Sequence, residues 1–424
     1  MKLFIFRRKR KFFDMRSIFR CAVSMTAIVL ALTACVGKDS LSSTPAWLQP
    51  ATGKAAEMIV APLRDEIIRR ADADLGKTPI TITSFSCERS HGGPHDFYSE
   101  ADYRWPDPAN PGGPYIPRDG ESNPDNFYAH RKALNAMSIL VANLTSAWIL
   151  TGDRNYADAV LPHLQAWFIN PDTQMNPHLS YAQAIPNLIE GRSYGIIDSI
   201  HLIEVVQSMI RLEQAGLMPE DLLSGTKQWF HDYVEWLTTH SNGVAEFHAG
   251  NNHGVCWIMQ VGEFAKYAEW QEIVEYCKVR FKYKFIPEMA PDGSFPYELD
   301  RTKPYGYSLF NLDAMAGVCQ ILSTSDDDLW TYTSRNGNNM SKALAFMLPY
   351  IRDKEKWFKE PDVMFYDQWP VAQPALLFSW YRFRGDRGFD ARTCYQTWLE
   401  LDHFPSNGEV IRNLPLRNPV IWLL

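Results

Sequence analysis

"HRKALNAMSILVANLTSAWILTGDRNYADAVLPHLQAWFIN" (residues 130–170) settles the fold class. Apolar residues recur three and four apart up to Leu150, break at Thr151-Gly152-Asp153, and resume in the same rhythm as far as Phe168. A glycine just past one helical run and an aspartate just before the next are the stop and start signals of two helices. Helices joined by so short a turn must lie antiparallel, each burying one face.

The same grammar extends in both directions. "AAEMIVAPLRDEIIRRADADLG" (55–76) precedes the hairpin. "IIDSIHLIEVVQSMIRLEQAGL" (196–217), "GTKQWFHDYVEWLTTHSNG" (225–243) and "WQEIVEYCKVRFKYKFIPEM" (270–289) follow it. "SLFNLDAMAGVCQILSTS" (308–325), "MSKALAFMLPYIRD" (340–353) and "ALLFSWYRFRG" (375–385) carry the pattern nearly to the end. No run alternates in the manner of a strand, and no glycine-rich loop suits a phosphate. The expectation is an all-α chain of successive hairpins closing into a bundle, solenoid or ring.

Three segments interrupt the helices. Residues 84–130 are rich in Pro, Gly, Asp and aromatics, and too long for an ordinary connector. Residues 290–310 and 171–195 are shorter breaks. Gathered at one end of a helical ring, such loops would wall a cleft.

At 424 residues and 46% apolar content the chain can bury a large core, and its net charge of −7 gives no reason to expect nucleic acid as a partner. Fourteen Trp and 19 Tyr suit either a core or an aromatic-lined sugar cleft. Residues 1–35 read as an export signal: a basic stretch, the short apolar run "CAVSMTAIVLALTA", and Leu32-Thr33-Ala34-Cys35, which resembles a lipobox with Cys35 as the lipidated residue. Translation from Met15 would leave that signal intact. Residues 36–55 are expected to be a tether and 56–424 the working domain, so the chain would be an exported periplasmic or outer-membrane lipoprotein. It would meet the membrane surface through its lipid alone. Cys87, Cys256, Cys277, Cys319 and Cys394 show no zinc spacing and read as buried thiols, with one disulfide left open.

The chemistry centres on "EFHAGNNHGVCW" (246–257), where Asn251, Asn252 and His253 occupy a stretch otherwise built like a buried helix. Asn is a poor helix former and a buried amide needs partners, so a site is a better account than packing, although Asn251 also suits a helix cap. In "ELDRTKPYGYSLF" (298–310), Arg301 lies near Tyr305 and Tyr307. A cation beside a tyrosine is expected to lower its pKa from about 10 and make it a usable base. The first long loop offers His95, Tyr98, Tyr103, Arg104 and Trp105 for stacking on sugar faces and pairing with carboxylates. "YAQAIPNLIEGRSYG" (181–195) adds Gln183, Arg192 and Glu190, the last two suiting either a site or a buried ion pair. Trp257 follows the histidine closely. A metal set of His95, Asp96 and Glu100 matches no structural zinc spacing, and neither metal nor cofactor is expected.

Amide, imidazole, guanidinium and phenol together suit one reaction. Eliminative cleavage of an acidic polysaccharide removes the C5 proton beside a uronate carboxylate while O4 departs. It needs that carboxylate neutralised, a base at C5 and an acid at O4.

The motifs "NNHG", "DGSFPYELDR" with "YSLFNLDAM", "GGPHDFYSEADYRWPDPANPGGPYIPRDGESNPDNF" and "YAQAIPNLIEGRSYGIIDS" resemble the alginate lyase superfamily over about residues 80–320. The resemblance implies an (α/α) toroid, an incomplete barrel of six to seven helical hairpins with a cleft across one end. It also implies an acidic polysaccharide as partner. By motif it places a carboxylate-facing Asn-His pair at Asn252 and His253, an arginine at Arg301 and the acid/base tyrosine at Tyr307. The chain departs from the pattern in three ways. The Arg301–Tyr307 spacing is one residue short, which keeps Tyr305 as a rival. Cys256 stands where an aromatic is expected, and the lysine-bearing lid has no counterpart. The expected activity is metal-independent β-elimination of a 1,4-linked polyuronate, alginate first and glucuronan next. The catalytic set is Asn252, His253, Arg301 and Tyr307. Tyr98, Tyr103, Trp105, Gln183, Arg192, Asn251, Trp257 and Tyr305 are expected to bind substrate. Two rivals remain. One is glycoside hydrolysis using carboxylates from Asp96, Glu100 and Glu298; the other is a glycan-binding lipoprotein without catalysis.

Overall fold

A computed structural model describes residues 44–424; the export signal, Cys35 and the first part of the expected tether, residues 36–43, lie outside the described residues. From Pro45 the chain packs as one compact unit. The tether was expected to reach residue 55, but its last part is docked. The Tyr381 hydroxyl donates to the carbonyl of Gln49 at 2.8 Å, Ala51 N donates to Leu423 O at 2.6 Å, and Arg382 lies over the Trp47 ring.

Helix α1 (Gly53–Val60) and α2 (Arg64–Asp74) are one amphipathic run in sequence, split at Pro62. Helices α3 (Ala129–Thr151) and α4 (Arg154–Phe168) form the hairpin expected on either side of Thr151-Gly152-Asp153. Gly152 turns it in the left-handed region, at φ +74°, and the Asp153 carboxylate accepts Asn155 N at 2.9 Å to start α4. Helix α5 (Leu202–Gln214) follows a 3-10 turn at Ser193–Ser199, and α6 is Glu220–Thr239. Then come α7 (Ser241–Phe247), α8 (Asn252–Tyr267) and α9 (Gln271–Arg280), which widens into a π turn at Phe281–Phe285. Short α10 (Pro296–Leu299) leads to α11 (Pro304–Leu322). Helices α12 (Met340–Arg352), α13 (Pro374–Phe383), α14 (Ala391–Glu400), α15 (Gly408–Asn413) and α16 (Pro419–Leu423) complete the chain.

Helices α3, α5, α8, α11 and α13 pack successively as an inner layer, and α4, α6, α9, α12 and α14 lie outside them. This is the incomplete α/α toroid. Helix α11 shows why apolar pattern sorts the layers: of its residues only Gln320 escapes burial, as a helix surrounded on all sides requires. Helices α8 and α11 run in the same direction, Gly317 meeting Met259 and Gly262 meeting Leu322. Their N-terminal ends therefore open on the same side.

The C-terminal segment bridges α13 back to α3 and α5, with Phe378 against Trp422. It is held by Glu204, fully buried on α5. The Glu204 carboxylate accepts Arg417 N and Asn418 N at 2.7 Å each and Asn418 Nδ2 at 3.1 Å. Glu204→Ala leaves these donors, and Trp422 Nε1 at 3.4 Å, without their acceptor. It is expected to lower unfolding free energy by about 2–5 kcal/mol, read as a fall in the denaturant midpoint at unchanged m-value.

Strands were not expected, yet four short ones occur. β1 (Tyr98–Glu100) pairs in parallel with β4 (Tyr181–Ala184), and β2 (Arg104–Trp105) antiparallel with β3 (Ile116–Pro117). Pairs this short carry no readable alternation. The β1–β4 pair fastens loop 84–130 to loop 171–195, and the β2–β3 pair closes a turn within loop 84–130. The five cysteines from Cys87 onward are free, four of them buried.

Candidate active site

The three helix-poor segments meet over the N-terminal ends of α3, α5, α8 and α11 and enclose a cleft of about 510 Å³. Loop 84–130 supplies Asp102, Tyr103, Arg104 and Asp119; loop 171–195 supplies Gln183, Arg192 and Tyr194. Asn251, Asn252 and His253 open α8, Arg301 and Tyr307 flank the start of α11, and Arg412 and Asn413 come from α15. Five arginines line the cleft against three aspartates, and helix N-termini add partial positive charge. The cavity suits a polyanion.

The NNHG stretch reaches the cleft because α8 starts there. Gly254 has no room for a side chain: a Cβ would stand 2.7 Å from the Phe285 ring. Asn252 is almost fully buried and fixed from behind by Glu298, which accepts its backbone N at 2.6 Å and its Nδ2 at 2.5 Å. Burial raises the Glu298 pKa, against the two Asn252 donors that lower it. His253 Nδ1 lies 2.5 Å from Glu246 Oε1, an acid that is itself buried. Since the carboxylate is the acceptor, Nδ1 carries the proton and a neutral ring keeps its lone pair on Nε2.

Tyr307 is held at both ends. Arg301 lies over its ring with Cζ 4.7 Å from the centroid, and its hydroxyl lies 2.7 Å from that of Tyr103. Arg412 Nη2 donates to the Tyr103 hydroxyl at 3.2 Å. Burial pushes the Tyr307 pKa well above its ordinary value, Tyr103 adds to the rise, and the opposing field of Arg301 is too weak. This corrects the expectation of a lowered pKa. Arg301 is engaged by Asp119, 2.9 Å from Nη2, so much of its charge is already spent. Under the cleft, Asp102 accepts Arg131 Nη2 at 2.9 Å and also meets Arg412, while Arg131 Nη1 reaches Asp198 at 3.4 Å.

The structure gathers Asn251, Asn252, His253, Arg301, Tyr307, Tyr103, Gln183 and Arg192 on this one cleft. Four expected binding residues are elsewhere. Tyr98 is buried, its hydroxyl donating to Glu100 at 2.9 Å. Trp105 turns away beneath Arg118 and donates to Glu121 O at 3.0 Å. Trp257 stands one turn too deep in α8 and donates to Leu237 O. Tyr305 points into the outer layer, its hydroxyl donating to Tyr350 O at 3.0 Å.

The hydrolytic carboxylates are corrected too. Asp96 accepts Asn176 Nδ2 at 2.7 Å, Glu100 is clamped by Arg89, and Glu298 stands behind Asn252; none lines the cleft. Glu190 pairs with His91 at 2.7 Å, not with Arg192. His95 Nδ1 lies 2.6 Å from Gln174 O. Among the described residues, His231, Asp232 and Glu235 on α6 could gather round a cation, outside this cleft. The reading by sequence missed Glu246, Tyr194, Arg131, Asp198 and Arg412. Glu246 alone was visible, seven residues ahead of His253.

The sequence profile of the alginate lyase family matches residues 81–357. An alginate lyase from Bacteroides ovatus of known structure is 30% identical, covering 87% of this chain and 96% of its own, with a TM-score of 0.74. Alginate lyase A1-III from Sphingomonas species A1 is 16% identical over 82% of this chain and 93% of its own, with a TM-score of 0.49. A histidine-to-alanine variant of alginate lyase A1-III complexed with a tetrasaccharide is 14% identical over 86% of this chain and 100% of its own, and its TM-score of 0.50 speaks for the fold alone. No curated protein sequence matches the chain.

Proposed function

The chain belongs to the alginate lyase family and is a polysaccharide lyase, and on that premise we propose that it cleaves a 1,4-linked polyuronate by β-elimination without a metal. Alginate rich in mannuronate is the first substrate to test, and glucuronan the second. The observation that carries the reading is the convergence of Asn252, His253, Arg301 and Tyr307 on one cationic cleft. Asn252, oriented by Glu298, and Arg301 face the C5 carboxylate and spread the charge that grows there as the proton leaves.

The hydrogen-bond directions support Tyr307 as the acid. A guanidinium only donates, so Arg412 makes the Tyr103 oxygen an acceptor and frees the Tyr103 proton to point at Tyr307. The Tyr307 proton is then left for the departing O4. His253 Nε2 is the base, its ring set by Glu246. One observation favours a second route, a syn elimination in which Tyr307 as phenolate takes the C5 proton and returns it to O4: the Tyr103 hydroxyl, 2.7 Å away and turned into a donor by Arg412, is placed to stabilise that phenolate.

Elimination leaves a conjugated 4,5-unsaturated uronate, so ultraviolet absorbance must rise with each bond cut. Hydrolysis or simple binding gives no such rise, and its absence across alginate and glucuronan would sink the proposal. His253→Ala is expected to lose about 10²-fold in kcat and to recover in part with added imidazole if His253 is the base. A variant equally slow with and without imidazole assigns that proton to Tyr307. The export signal and Cys35 support a further part of the reading, an exported enzyme held to a membrane surface by lipid.

A further inference from the structure

Helix α15 presents Arg412 and Asn413 to the cleft and Ile411 to a second cavity, of about 150 Å³, bounded by α2, α3 and the C-terminal segment. Arg70, Asn143, His403, Ser406 and Arg417 line that cavity, and among the described residues no Asp or Glu does. Two arginines and a histidine without a carboxylate are unusual in a chain of net charge −7.

The Arg70 charge is met by Glu66 at 2.7 Å. Arg417 makes no ion pair among the described residues, and neutral groups hold its guanidinium. Nη1 donates to Ile411 O at 2.9 Å, and Nη2 to His201 Nδ1 at 2.8 Å and Ser138 Oγ at 3.4 Å. Glu204 accepts the Arg417 backbone N and not the guanidinium. Arg417 Nε is buried with no hydrogen-bond partner, and neither ring nitrogen of His403 has one of good geometry. Burial lowers the Arg417 pKa to about 10, against the more distant field of Glu204. Burial also disfavours charge on His403, outweighing Asp402 and the nearby Leu399 carbonyl, which favour it.

We propose that this cavity binds a small tetrahedral oxyanion, phosphate or sulfate, between Arg417 and His403. A buried donor without a partner costs free energy, and native folds answer it with ordered water or an ion. One water needs only about 10–15 Å³ and carries no charge, so it neither fills this space nor compensates Arg417. An oxyanion does both. It accepts hydrogen bonds on several sides, which suits guanidinium and imidazole donors within and the Ser406 hydroxyl at the exposed mouth.

The site does not depend on the polyuronate reading, yet it lies directly behind the cleft. Arg417 holds α15 at Ile411 O. His201, which accepts from Arg417 at Nδ1, donates from Nε2 to Arg412 O at 3.0 Å. Helix α15 in turn carries the Arg412 side chain to the Tyr103 hydroxyl. An anion that fixes Arg417 therefore braces the helix on which the Tyr103 contact depends.

The test is titration of the full chain with inorganic phosphate at constant ionic strength, followed by broadening of the phosphorus NMR line and by hydrogen exchange. The parent is expected to bind saturably with a Kd of about 1 mM or below. Exchange should slow at residues 403–418, and about 10 mM phosphate should raise the thermal midpoint by about 2 °C. Sulfate competes, and chloride at the same ionic strength does not. His403→Phe keeps a ring packed on Trp398 but removes both nitrogens, and Arg417→Met removes the cation. Each is expected to weaken binding by about 10-fold or more, and His403→Phe alone decides if Arg417→Met does not fold. Arg192→Gln, in the cleft, leaves phosphate binding unchanged. A parent that binds neither phosphate nor sulfate saturably overturns the site. So does binding that survives His403→Phe at full strength, or that is lost in Arg192→Gln and so belongs to the cleft.

Discussion

Tyr307→Phe is expected to lower kcat on polyuronate by about 10³–10⁴-fold with little change in KM, whereas Tyr305→Phe should keep activity within about threefold of the parent. The two tyrosines are two residues apart on α11, about 200° around the helix, and so face opposite ways. Tyr307 faces the cleft beneath Arg301 and against Tyr103. Tyr305 packs between Trp357 and Tyr366. Removing its hydroxyl breaks one bond to Tyr350 O and should cost about 1 kcal/mol of stability, seen in the thermal midpoint and not in the rate. The Tyr307→Phe ring keeps its place under Arg301, so lost activity there reports the missing proton. Because burial keeps that proton on Tyr307, its loss should not limit the rate until the pH is above 10. An inactive Tyr305→Phe beside an active Tyr307→Phe would reverse the assignment.

That pair also marks where reading by sequence succeeds and fails. Helical rhythm gave the all-α class and the hairpins, because each inner or outer helix is a contiguous signal many residues long, whereas the toroid came with the family resemblance. The breaks in the rhythm gave the cleft walls for the same reason. Within the site, sequence placed Asn252, His253, Arg301 and Tyr307, which lie in two local clusters near the starts of α8 and α11. Trp257 and Tyr305 were drawn in by proximity along the chain, but the cleft touches only the first turn of α8 and one face of α11. Partners joined through space left no mark. Tyr103 meets Tyr307 across 204 residues, and Arg412 meets Asp102 across 310. Glu298 shows the opposite error. A carboxylate near the motif suggests acid catalysis, yet its oxygens are committed to Asn252, and it acts by orienting that amide. Residue type suggested the chemistry, and only packing decided which copy of each type lines the cleft.

The largest loss of stability is expected from Asp102→Ala. Asp102 is a buried carboxylate between Arg131 and Arg412. Burial alone would raise its pKa, but the two guanidiniums outweigh it and hold the group at about 2. The unfolded-state value is about 3.9, so the folded state binds this proton less tightly. The stabilisation is therefore fully present above about pH 4 and is lost as the pH falls through about 2. Its size from that shift is ~2–3 kcal/mol. Truncation costs more than neutralisation, because alanine also leaves Arg131 and Arg412 facing each other with their shared acceptor gone. A loss of about 3–5 kcal/mol is expected at pH 7. Urea unfolding of parent and variant at pH 7 and again near pH 3 measures it, and the gap must narrow at the lower pH. Adding Arg412→Met to Asp102→Ala removes one of the two cations that shared the lost acceptor and should restore part of the stability without restoring the rate, since Tyr103 then loses the donor that directs its proton toward Tyr307. An Asp102→Ala midpoint equal to the parent's would mean that the charge network does not hold the cleft floor together.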